Sequence, residues 1–284
     1  MTTMNFSTRL ARAEAQNDSL LCVGLDPDPA RFPGAWQHDP ARIFDFCATI
    51  VDATKDLVIA FKPQIAYFAA QRAEDQLERL IAHIHQAAPE VPVILDAKRG
   101  DIGSTAEQYA HEVFERYRAD AVTLSPFMGF DSIEPYLAYP GKGALLLCRT
   151  SNPGSADVQG QALAGGERVF EHIARLAQGP WNRSGELGLV VGATFPAELE
   201  RVRALAPTLP LLIPGFGQQG GDAAVVGAGW RGDAQGRTTA PVIVSSSRAV
   251  LYASRGDHFA QAARAAALAA RDSLNQARRP SRVL

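Results

Sequence analysis

Short unbroken apolar runs recur along the chain at residues 20–25, 57–61, 93–95, 121–124, 144–148, 187–191, 210–213 and 242–244. Runs that are continuous rather than alternating predict strands of a parallel sheet covered on both faces. Between them, apolar residues spaced three and four apart predict helices over 41–56, 73–88, 106–117, 166–177 and 197–205. Eight strand–helix units in one chain predict an α/β protein, a closed (β/α)8 barrel of the TIM type. A doubly wound open sheet is the rival, but it usually needs fewer strands and a crossing connection that is not evident here. The polar, glycine-rich stretch 227–241 reads as a loop inserted between the seventh and eighth units, and 258–277 as an alanine-rich helical tail ending in Arg278, Arg279 and Pro280. One barrel domain over residues 1–284 is expected.

Barrels of this kind collect their chemistry at the C-terminal ends of the strands. Those ends offer Asp26, Lys62, Asp96 with Lys98, Ser125, then Arg149, Thr150 and Ser151, then the segment from Pro214 to Gly221, and finally Ser245 to Arg248. The densest is VILDAKRGDIGST at 93–105, where an apolar run stops in Asp96, Lys98, Arg99 and Asp101. Strand side chains alternate, so Asp96 and Lys98 are expected on one side and Ala97 on the other. Gly100 and Gly103 loosen the chain, placing Asp101 on a loop before a helix that begins near Thr105. Taken alone, such a pattern is explained as well by an ordinary surface ion pair. Lysine usage points the other way. The 28 basic residues include only four lysines, Lys55, Lys62, Lys98 and Lys142, so arginine serves as the surface cation. Two of the four end buried strands, where a compact, titratable ammonium does what a guanidinium cannot.

Gly215, Gly217, Gly220 and Gly221 after the seventh strand, with Arg248 after the eighth, suit a phosphate held by backbone N–H groups and a guanidinium fork. The same glycines spell GxGxxG, but the acidic residue a dinucleotide fold would place about twenty positions on is missing; Asp233 lies in the polar stretch. A net charge of −2 in 284 residues, 46% hydrophobic and 20% charged, gives no electrostatic case for nucleic acid or an anionic membrane. Cys22, Cys47 and Cys148 lack CxxC spacing, so reduced thiols and a cytoplasmic location are expected rather than disulfides or zinc. The first twenty residues alternate apolar with charged positions and give no leader or membrane-spanning run. The six histidines read as surface or packing groups, with no metal role.

These segments together resemble the orotidine 5'-phosphate decarboxylase family. LDAKRGDIGST carries its DxKxxD signature, and GLDPDP, FKPQIAYF, TLSPFMGFDSIEPY, RTSNPGS, PGFGQQGGD and SSSRAVLYA follow in the family's order over almost the whole chain. The longer bacterial branch is the nearest, with Gly103 and Ser104 where shorter members have proline and asparagine. The resemblance implies a homodimer, a nucleotide substrate (orotidine 5'-monophosphate), no cofactor and no metal. It implies a charge-alternating array of Lys62, Asp96, Lys98 and Asp101, with Asp101 reaching the neighbouring subunit's site and Ile102 and Thr105 approaching the ligand there. Asp26 and Lys62 would hold ribose hydroxyls, Ser151 the pyrimidine edge, and Gln219 and Arg248 the phosphate, with Pro214 lining the site. Ser247 departs from the glycine that many relatives have, which leaves the backbone at the phosphate open.

The chemistry fits the residues. Loss of carbon dioxide leaves a carbanion at ring C6, which a fixed cation must stabilise and then protonate, and Lys98 fits both roles. Asp96 and Asp101 would keep it charged. Two other readings stay open: a related magnesium-dependent sugar-phosphate enzyme, although Lys62 stands where such relatives have an acidic residue, and a non-catalytic nucleotide-binding barrel or Schiff-base aldolase.

Overall fold

Strands β1 (Leu21–Leu25), β2 (Ala60–Pro63), β3 (Ile94–Arg99), β4 (Ala121–Leu124), β5 (Gly143–Arg149), β6 (Leu187–Val191), β7 (Leu211–Pro214) and β8 (Val242–Ser246) form one sheet in the computed structural model, which describes residues 4–194, 196–215 and 222–278. All neighbours pair in parallel, in the order β2-β1-β8-β7-β6-β5-β4-β3. Bridges between Phe61 and Val93 and between Gln64 and Asp96 join the two edge strands, so the sheet closes on itself. This is the (β/α)8 barrel that the apolar runs predict. Strands β1, β2, β4, β6 and β8 are buried at every residue, because side chains on one face fill the barrel and those on the other meet helices.

Strand boundaries differ from the apolar runs in one instructive way. Strand β2 starts later than the run at 57–61 and takes in Lys62, while β3 continues through the charges to Arg99. A ladder is made by backbone groups, so pairing continues past the point where apolar side chains end. The helix expected over 106–117 begins at Gly103 and passes into a π-helical segment, Glu112–Arg116. Thr105 therefore lies inside its first turn rather than before it. The stretch 227–241 is also more ordered than a loop: its first residues end the helix Asp222–Gly229, and Arg231–Gly232 pairs antiparallel with Thr238–Ala240. Asp233, which accepts from the N–H groups of Gln235 and Arg237, turns that ribbon.

The N-terminal helix Phe6–Asn17 is an element that the pattern of apolar runs does not predict. Asn5 caps it by accepting from Thr8 N–H at 2.9 Å, and its buried face is Phe6, Leu10, Ala13, Glu14 and Asn17. Phe6 sits under the first residue of β5, where a Cβ on Gly143 would overlap its ring. The helix thus plugs the N-terminal end of the barrel, and the C-terminal strand ends form the other face.

Candidate active site

Two strand ends bring three charged groups into one chain of contacts. Lys62 Nζ at the end of β2 donates to Asp96 Oδ2 at 2.9 Å, and Lys98 Nζ donates to Asp96 Oδ1 at 2.6 Å. Thr123 of β4 adds its hydroxyl, donating to Asp96 Oδ1 at 2.9 Å. Lys62 and Asp96 are only 5% and 8% exposed, while the Lys98 side chain keeps 47% of its surface open at the barrel mouth. The pattern is an anchored carboxylate between a buried and a reachable ammonium.

Burial opposes the charges of the buried pair, but their neighbours outweigh it. The Lys62 and Lys98 ammoniums hold the Asp96 carboxyl well below the usual carboxylate range, and the Asp96 and Asp26 carboxylates hold the Lys62 ammonium above its usual range. A depressed carboxyl stabilises the fold above its unfolded pKa, and a raised ammonium stabilises it below its own. Both contributions are therefore complete between about pH 4 and about pH 10. The Asp96 contribution is lost as pH falls below that window, and the Lys62 contribution as pH rises above it. In Asp96→Asn the midpoint of thermal unfolding is expected to drop at pH 7 and to converge on the wild-type value as the pH is lowered through the acid range. An equal drop at every pH would contradict this assignment.

Lys98 reaches Asp96 by a different route from simple strand alternation. The register between β3 and β4 shifts between Leu95 and Arg99, and Lys98 adopts φ +46, the left-handed region that non-glycine residues rarely enter. In this bulge the N–H groups of Ala97 and Lys98 both donate to Thr123 Oγ1, at 3.1 and 3.0 Å, instead of to a backbone carbonyl. Asp96 and Lys98 do meet, but because the strand is broken between them.

Other strand ends surround the array. Asp26 follows β1, and its Oδ1 is buried with no hydrogen-bond partner among the described residues. Gly24 makes room for Ser247 after β8: a Cβ at position 24 would overlap the serine side chain. The serine is thus accommodated by a glycine on the adjacent strand β1. Arg248 follows, exposed, in the short helix Arg248–Leu251, and Pro214 ends β7 half-buried. Gln219 lies outside the described residues, as do Gly217, Gly220 and Gly221. Ser151 is exposed after β5, packed so closely on Gly192 that a Cβ there would stand 2.8 Å from it. Asp101 does not join the array in its own chain: its Oδ1 accepts from Ile102 N–H at 2.8 Å, and it makes no ion pair among the described residues. Ile102 and Thr105 are exposed beside it. A cavity of about 750 Å³ lies elsewhere, between the N-terminal helix and the ribbon, where its Arg278 is already paired with Glu14 and Asp18.

Comparison with known proteins gives the family of this barrel. The family model described as "Orotidine 5'-phosphate decarboxylase / HUMPS family" matches residues 19–266. The chain belongs to this family. It is 73% identical over 279 residues to an orotidine 5'-phosphate decarboxylase of Methylibium petroleiphilum, covering 97% of this chain and all of that one. It is also 73% identical to that of Leptothrix cholodnii over 278 residues, covering 96% of this chain and 98% of the relative. Among solved structures, the OMP decarboxylase of Leishmania donovani superposes with a TM-score of 0.80 at 38% identity, covering 97% of this chain and 99% of that one.

Within this decarboxylase-family barrel, two residues hold loops at the mouth: Tyr252, which no local pattern marks, and Arg149, one of the strand-end candidates. Tyr252 Oη donates to the Asp26 carbonyl at 2.8 Å and accepts from Asp28 N–H at 2.6 Å, fixing the loop after β1. Arg149 at the end of β5 is buried, pairs with Glu198 at 2.5 Å and hydrogen-bonds Ser155, while its carbonyl accepts from Gly192 N–H at 2.7 Å. That guanidinium joins the loop carrying Ser151 to the element after β6. Its position at a strand end marks it in the sequence, but its partner Glu198 does not follow from that position.

Proposed function

We propose that this chain is an orotidine 5'-phosphate decarboxylase, converting orotidine 5'-monophosphate to uridine 5'-monophosphate and carbon dioxide without a metal or cofactor. The observation that carries the reading is the Lys62–Asp96–Lys98 chain of ion pairs at the barrel mouth, in a family of this activity. The bond from ring C6 to the carboxylate breaks, its electron pair stays on C6, and carbon dioxide leaves. Lys98 stabilises that pair as it forms and then donates the proton that completes the uracil ring. Asp96 crowds the departing carboxylate and holds the Lys62 ammonium above its usual range. Asp26, whose Oδ1 lacks a partner among the described residues, and Lys62 take ribose hydroxyls; Ser151 reads the pyrimidine edge; Gln219 and Arg248 take the phosphate, with Pro214 lining the site. Gripping the phosphate at the far end supplies binding energy for the reacting end.

A homodimer completes the site in this reading. Asp101, unpaired with its own Lys98, and Thr105 and Ile102 next to it would serve the partner's ligand. Support comes from apolar side chains left exposed on the same side: Ile102 at 54%, Phe127 at 82% and Met128 at 42%. Met128 lies against Gly100, one residue before Asp101. No helix among the described residues is long and apolar enough to cross a membrane, and Cys22, Cys47 and Cys148 are buried free thiols, which suits the reducing cytoplasm.

The test is a spectrophotometric assay of purified protein with orotidine 5'-monophosphate in excess EDTA. Substrate absorbance is expected to fall at the same rate with and without the chelator, with uridine 5'-monophosphate as product. No turnover would overturn the decarboxylase reading, and turnover abolished by EDTA would overturn its metal-free form.

A further inference from the structure

We propose that Thr123 is a positioning residue for the reaction, the group that sets Lys98 against Asp96. The kinetic part rests on the decarboxylase reading above; the structural part rests on the β3–β4 geometry alone. Thr123 Oγ1 makes three hydrogen bonds: it accepts from the N–H groups of Ala97 and Lys98 and donates to Asp96 Oδ1. One hydroxyl thereby satisfies the two backbone donors that the bulge removes from the ladder and fixes the carboxylate that the bulge presents. It also holds Lys98 at φ +46, which a lysine does not adopt without compensating contacts. Thr123 is 1% exposed and pairs with Leu145 in the β4–β5 ladder, so a rigid strand supplies its position. The two groups that it aligns differ in freedom: Asp96 is also held by Lys62, whereas Lys98 is tethered to the array by Asp96 and by its own backbone. Loss of the hydroxyl therefore acts mainly on Lys98, the group assigned to the carbanion.

Valine is nearly isosteric with threonine but provides no hydroxyl, and serine restores one. For Thr123→Val, kcat is expected to fall by about 10- to 100-fold, the scale of a misplacement of about an ångström, with KM and product-nucleotide affinity within about 3-fold of wild type. Thr123→Ser is expected to stay within about 3-fold of wild type in kcat. A structural role alone would lower the unfolding midpoint and leave kcat of the folded fraction unchanged. If Thr123→Val does not fold, Thr123→Cys, of similar volume and weaker hydrogen bonding, takes its place. Retention of kcat in the valine variant, or a loss in the serine variant equal to that in valine, would overturn the proposal. Should the wild-type protein show no turnover, the decarboxylase reading fails, and amide hydrogen exchange at Ala97 and Lys98 decides the role of Thr123. Exchange faster in the valine variant and unchanged in the serine variant supports it; unchanged exchange in both overturns it.

Discussion

Replacing Lys98 with alanine is expected to lower turnover of orotidine 5'-monophosphate by at least about 10⁴-fold while leaving uridine 5'-monophosphate binding measurable. Two functions are lost together. Fixed electrostatic stabilisation of a developing anion is typically worth about 10²- to 10³-fold, and a positioned general acid about 10²- to 10⁴-fold. The fold should tolerate the change. The Lys98 side chain is half open to solvent, and Asp96 keeps Lys62 Nζ and the Thr123 hydroxyl, so no buried carboxylate is stranded. Lys98→Arg should fail almost as badly, since a guanidinium keeps the charge but does not release a proton near neutral pH. Single-turnover decay of substrate absorbance, with isothermal titration of the product nucleotide, separates chemistry from binding. Retention of more than about one hundredth of wild-type kcat in the alanine variant would remove Lys98 from the reacting centre.

How much of this was legible in the sequence depends on what kind of interaction makes each feature. The eight strands announce themselves because both of their faces are buried, so apolar side chains run without interruption. The N-terminal helix is missed, although Phe6, Leu10, Ala13 and Asn17 follow a helical period behind an Asn5 cap, because charges between them obscure the stripe. The array is a harder case. Asp96 and Lys98 stand out as charges at the end of an apolar run, and their meeting is foreseeable from alternation, yet the structure achieves it through a bulge held by Thr123. Nothing in VTL marks that threonine, because β-branched residues are ordinary in strands and its acceptor role exists only once β3 lies beside β4. Tyr252 escapes for the same reason, and Arg149 stands out only as a strand end without its role: their partners, the Asp26 carbonyl and Glu198, are distant in sequence. Local pattern reports which residues are buried, while tertiary pairing decides which polar groups they meet.

Asp101 offers the other large effect, because the site as proposed is shared between subunits. Lys98→Ala and Asp101→Ala proteins should each be nearly inactive alone, yet a mixture allowed to exchange subunits should regain activity. In an isologous dimer each site takes Lys98 from one chain and Asp101 from the other. A mixed dimer therefore holds one site lacking both groups and one site intact, so an equal mixture should recover about one site in four. The geometry within one chain motivates the experiment: Lys98 Nζ contacts Asp96 and not Asp101, and the Asp101 carboxylate is turned onto its own loop at Ile102 N–H. The neighbouring exposed side chains of Ile102, Phe127 and Met128 provide apolar surface for the contact that would bring a second chain's Asp101 across. Exchange is verified by mass-labelled subunits or by refolding the two variants together, and activity is followed in the same absorbance assay. Recovery that scales with the fraction of mixed dimers supports a shared site. Confirmed mixed dimers with no recovery would place Asp101 in its own barrel's chemistry, and the charge array would then have to close within a single chain by movement of the loop between β3 and the helix Gly103–His111.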